Sequence, residues 1–156
     1  MRTFSSIALT LAAAAALAAC GTMSSSAPMG GSAAGGSPMN ANAMSMVVDL
    51  SARNEVPPNA SAATGRATVT LDRATRMLTW SVAYSGLTGP ATGAHIHNGA
   101  EGTNGPVVVP FTVTPSPITG STTLTEAQVQ QLAASNWYVN VHTAANPGGE
   151  IRGQLK

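Results

Sequence analysis

Cysteine, charge and long apolar runs are all scarce in this chain, and each scarcity removes a class of explanation. One cysteine, Cys20, stands among 156 residues. No intrachain disulfide can therefore staple the fold, even in an exported protein where disulfides are permitted. Charged residues make up 8% of the chain. Beyond residue 19, Arg53, Arg66, Arg73, Arg76, Arg152 and Lys156 are balanced by Asp49, Glu55, Asp72, Glu101, Glu126 and Glu150. A neutral chain without a basic cluster is a poor partner for nucleic acid. The most apolar stretch, Ile7 to Ala16, is too short to span a bilayer as a stable helix. No serine sits in a nucleophile elbow, no glycine-rich loop joins a strand to a helix, and no pair of acids is placed for hydrolysis. The expectation is a protein that is not an enzyme.

The first residues carry a pattern instead of a fold. Arg2 and the apolar run after it read as an export signal. Leu17-Ala18-Ala19-Cys20 then matches the lipobox of bacterial lipoprotein signals. The match implies a signal peptide over 1–19, cleavage before Cys20 and lipid attachment at that residue; an ordinary secretory signal beside an incidental cysteine is the alternative. Several acyl chains together anchor a protein stably to a membrane, where one is marginal. Gly21 follows the cysteine where Asp would stand in retained lipoproteins. In a Gram-negative host that resembles the outer-membrane class, facing the periplasm or the surface. Residues 20–45 read as an uncharged Ser/Ala/Gly/Pro/Met tether. Met23, Met29, Met39, Met44 and Met46 lie in or beside it. Thioether sulfur suits Cu(I), although Met also serves simply as a small flexible residue.

From Met46 to Lys156 the pattern has a period of two. Leu78, Trp80, Val82 and Tyr84 alternate with Thr79, Ser81 and Ala83, and Ala67, Val69 and Leu71 alternate with Thr68 and Thr70. Turn formers such as Pro57-Pro58-Asn59 and Ser85-Gly86 bound these runs. Pro110 in Val107–Val113 suggests a bulge or an edge strand. Trp137–Thr143 and Glu150–Leu155, joined by Asn146-Pro147-Gly148-Gly149, predict a hairpin. Thr125-Glu126-Ala127-Gln128 fits a capping box that opens one short helix. About seven strands at this spacing predict an all-β, antiparallel Greek-key-like sandwich or barrel.

The chemistry lies in three histidines. His95 and His97 share one face of a strand, because side chains alternate with a period of two. His142 lies in Trp137–Thr143, on the face that also carries Tyr138 and Asn140. Three imidazoles from two strands make a candidate site for copper or another transition metal. The alternative is that they line a polar loop face and bind nothing.

Gly93-Ala94-His95-Ile96-His97-Asn98-Gly99, Gly102-Thr103-Asn104-Gly105-Pro106, Tyr138–Thr143 and Asn146-Pro147-Gly148-Gly149-Glu150-Ile151-Arg152-Gly153-Gln154 together resemble the CHRD (chordin-type) domain. The resemblance covers Met46 to Leu155 and implies a compact β-sandwich module of secreted or surface-anchored proteins, with no defined activity. Within it, Gly99, Gly102 and Gly105 suggest a loop that needs positive φ or close backbone approach. Glu150, Arg152 and Asn140 are candidates for orienting the histidines. For Glu150 and Arg152 the alternative is an exposed ion pair worth under about 1 kcal/mol. A weaker likeness is to copper-zinc superoxide dismutases, which also use a His-x-His pair and a later histidine on a β-sandwich. His95, His97 and His142 would take those roles. The further metal-ligand histidines, the cysteine pair and an arginine for a guided substrate channel are missing, so dismutation is not expected.

The expectation is a lipid-anchored extracytoplasmic binding module that holds copper through His95, His97 and His142. The second reading is a structural or protein-interaction module of the cell envelope. The sequence identifies no protein partner.

Overall fold

The computed structural model describes residues 42–156. The expected signal peptide, Cys20 and nearly all of the tether lie outside the described residues. Strand β1 (Ala43–Ser51) begins three residues before the expected start of the folded part, with Ala43, Met44 and Ser45 paired to Asp72, Leu71 and Thr70. It is followed by β2 (Thr64–Asp72), β3 (Met77–Ser85), β4 (Ala91–Asn98), β5 (Val107–Pro110), β6 (Ile118–Thr123), α1 (Glu126–Ala133), β7 (Trp137–Thr143) and β8 (Ile151–Leu155). All eight strands join one sheet in the order β5-β4-β7-β8-β1-β2-β3-β6, and every pairing is antiparallel. This is the expected all-β class, as a nearly closed barrel.

The alternation read in the sequence becomes the two faces of that sheet. Leu50, Val69, Leu71, Leu78, Ile96 and Ile151 point inward and are buried. Each such side chain contributes about 1.5–3 kcal/mol through burial. The open seam lies between the edge strands β5 and β6. Phe111, just past β5, stacks on Trp80 of β3 with centroids 4.5 Å apart, so an aromatic pair helps close the barrel where backbone pairing stops. Pro110 lies on an edge strand, and a register shift sits beside it between Ile96 and His97. At the β2–β3 turn, the Asp72 carboxylate accepts from the Ala74 and Thr75 amides at 2.8 and 3.1 Å.

The capping box forms as expected. Gln128 N–H donates to Thr125 Oγ1 at 3.3 Å, and Thr125 N–H donates to Gln128 Oε1 at 2.8 Å. Leu132 is buried beneath α1, and the chain leaves the helix through Ser135 at φ 59°. From there it enters β7, the strand that carries the functional face.

Candidate metal centre

The register of β4, β7 and β8 assembles the site. Gly93 stands opposite His142, His95 opposite Asn140, and His97 opposite Tyr138; Asn140 and Tyr138 are in turn opposite Arg152 and Gln154. Their alternating neighbours Ala94, Ile96, Val139, Val141 and Ile151 fill the barrel core. The histidines therefore project from the outer face of the sheet, where the loop 99–105 covers part of it.

Three ligand nitrogens, one from each of His95, His97 and His142, lie within 4.8 Å of one another. One ion with bonds of about 2.0–2.1 Å needs nitrogens roughly 3.3–4.1 Å apart, so the widest pair must close by about 0.7–1.5 Å. No carboxylate belongs to the group. His97 Nδ1 lies 2.9 Å from the Gly105 carbonyl, and His142 Nδ1 lies 3.0 Å from the Pro147 carbonyl. A carbonyl only accepts, so His97 Nδ1 carries hydrogen and its Nε2 presents a lone pair, whereas His142 meets an acceptor at each ring nitrogen, Pro147 O at Nδ1 and Asn140 Oδ1 at Nε2. At His97 this is how a backbone acceptor fixes the tautomer of a ligating histidine. His97 Nε2 is buried and has no hydrogen-bond partner. His142 Nε2 lies 3.1 Å from His95 Nδ1 and 3.0 Å from Asn140 Oδ1.

Burial favours the neutral forms of His95 and His142. Burial holds His95 below the ordinary value of 6.5, and the neighbouring His142 and His97 add to the effect. Burial likewise holds His142 low; its contact with the Pro147 carbonyl opposes this, and His97 reinforces it. A base depressed in this way binds fewer protons when folded than when unfolded. Its contribution to stability is present above the unfolded value and is lost as pH falls through it.

The other expected residues take different places. Asn140 reaches His142 directly. Arg152 reaches the site only through its neighbours: its guanidinium lies 3.4 Å from the Tyr138 ring centroid, and Tyr138 stacks on His97 at 4.8 Å and 5°. The same guanidinium donates to the Thr103 carbonyl at 2.8 Å, the Ala100 carbonyl at 3.4 Å and Asn104 Oδ1 at 3.3 Å, fastening the loop 99–105. Glu150 touches neither Arg152 nor a histidine. It accepts from Ser61, Thr88 and Thr143. Among the described residues the ion pairs are Arg66–Asp49 and Lys156–Glu101, both exposed. The alternative Glu150–Arg152 ion pair is absent as well, because buried hydroxyls, an amide and carbonyls satisfy each partner separately.

Tyr138, Gly93 and the carbonyls of Gly105 and Pro147 were not singled out by sequence reasoning. Tyr138 shares the histidine face by parity, a signal that was available. A Cβ on Gly93 would lie 3.1 Å from His95 Cε1 and 3.6 Å from His142 Cδ2, so the missing side chain leaves room for the rings. The carbonyl contacts come from loops, whose paths alternation does not encode.

A family model described as the CHRD domain matches residues 46–155. No curated protein and no solved structure matches the chain.

Proposed function

The chain belongs to the CHRD domain family over the stretch that forms the barrel, and on that premise we propose that it is a binding module of the cell envelope, anchored through lipid on Cys20, that holds copper through His95, His97 and His142. One observation carries this reading: the lone pair of His97 Nε2 is buried without a partner beside two more imidazoles. An unsatisfied buried acceptor costs about 1–3 kcal/mol, and a bound metal would relieve that cost. Copper suits an all-imidazole set.

A second reading, a structural or interaction module, has its own support. His95, His142 and Asn140 already lie within hydrogen-bonding distance of one another, and a scaffold needs no more than that. Copper titration of the purified protein separates the two. The metal reading expects one-to-one binding, nitrogen hyperfine structure in the Cu(II) spectrum, and a loss of at least about 100-fold in affinity for His97→Ala. It also expects release on acidification below about pH 6, since imidazolium cannot ligate. Unchanged affinity in His95→Ala, His97→Ala and His142→Ala would return the histidines to scaffold. A fragment for such work should keep residues 43–45, because they belong to β1.

A further inference from the structure

Resting on the copper reading, we propose that the histidine cluster prefers Cu(I) to Cu(II) and Zn(II), and that Arg152 sets the preference from behind Tyr138. The first support is the donor set, which consists of three neutral imidazoles with no carboxylate among them. A divalent ion held there keeps its full double charge in a site where His97 is buried and His95 and His142 are half-buried. The desolvation cost of an ion rises with the square of its charge, so a monovalent ion is favoured in such a place.

The second support is the fixed cation. A guanidinium 3.4 Å from the Tyr138 centroid and an imidazole stacked at 4.8 Å cannot share one face of the ring. Tyr138 is therefore sandwiched between them, and Arg152 sits at most about 8 Å from the centre of the His97 ring. Arg152 is 2% exposed, so water screens its charge weakly. The acidic groups nearby offset it only in part. Glu101 pairs with Lys156, and Glu150 is held by Ser61, Thr88 and Thr143. Glu55 faces Arg152, but burial pushes its carboxyl up to about 7 against the pull of that arginine, so it is only partly ionised at neutral pH. One uncompensated charge about 10 Å from the metal, at an effective dielectric near 20, changes the relative affinity for ions differing by one charge about tenfold.

The test measures affinities for Cu(I), Cu(II) and Zn(II) by chelator competition on the purified protein, with the Cu(I) series kept anaerobic. The wild type should bind Cu(I) more tightly than Zn(II) or Cu(II). Arg152→Gln should move the Cu(I)-to-Cu(II) affinity ratio about tenfold toward Cu(II), while Arg152→Lys retains most of the wild-type ratio. Should Arg152→Gln fail to fold, Glu55→Gln provides the second arm. It removes the facing negative charge without touching the stack and should raise the preference for Cu(I). A wild type that binds copper but favours Cu(II), or a ratio that moves in none of the folded variants, overturns the selectivity proposal and leaves the copper site standing. No copper binding in any state overturns the site itself.

Discussion

Gly105→Ala should cost the fold about 3 kcal/mol or more and weaken metal binding with it. A Cβ at this position would lie 1.7 Å from the Asn98 carbonyl oxygen, 2.5 Å from its carbon and 3.1 Å from Gly99 Cα. All three are backbone atoms, so no side chain can swing aside, and the chain must part by more than an ångström. Three contacts depend on that place. His97 Nδ1 lies 2.9 Å from the Gly105 carbonyl, Gly105 N–H donates to Tyr138 Oη at 3.3 Å, and Asn98 N–H donates to the Pro106 carbonyl at 3.0 Å. Moving the loop therefore releases the His97 tautomer as well as the packing above Tyr138. Calorimetry should show a melting temperature lower by about 10 °C or more. Gly148→Ala is the control, because a Cβ there meets nothing within 4 Å. If the two variants melt together, the close approach at Gly105 is not what fixes the loop.

How much of this was legible beforehand depends on the physical origin of each feature. Burial on one side of a pleat writes itself into sequence as alternation, so Leu78-Trp80-Val82 and Trp137-Val139-Val141 announced both strand and core face. Local hydrogen bonding is equally readable, and the Thr125–Gln128 box forms atom for atom. Strand β6 escaped notice because it is an edge strand, and its run Thr119-Gly120-Ser121-Thr122-Thr123 is almost wholly solvent-facing. The residues of the site were visible through parity, which placed His95 with His97 and His142 with Tyr138 and Asn140. That the two strands are neighbours was a guess until the order β4-β7-β8 was known. Roles assigned from charge fared worse. Glu150 and Arg152 invite pairing as opposite charges two residues apart, yet the loops that arrive from residues 59–61, 86–88 and 99–105 divide them.

Glu150→Ala is expected to be the most damaging change outside the barrel core, at about 3–5 kcal/mol. The carboxylate is fully buried with no cation against it. Ser61 Oγ donates to it at 2.7 Å, Thr88 N–H at 2.8 Å, Thr88 Oγ1 at 2.7 Å and Thr143 Oγ1 closer still. Burial alone would raise its pKa, but the hydrogen bonds from Thr143, Ser61 and Thr88 outweigh that and bring it from 4.5 down to about 2. The sign follows from the depressed value. Folding favours the ionised form, so the stabilisation is complete above the unfolded value of about 4.5 and is lost as pH falls toward about 2. Glu150→Gln keeps the shape but turns an N–H toward a cluster of donors. It should destabilise at pH 7 and remove this acid-labile component. Urea midpoints of wild type and Glu150→Gln, taken from pH 6 down to pH 2, should therefore converge as the wild type protonates. Midpoints that stay parallel across that range would show that the charge of Glu150 is not what ties the loops at 59–61 and 86–88 to the β7–β8 hairpin. Since that hairpin supplies the Pro147 carbonyl 3.0 Å from His142 Nδ1, convergence should be matched by a metal affinity that weakens in Glu150→Gln even where all three histidines are intact.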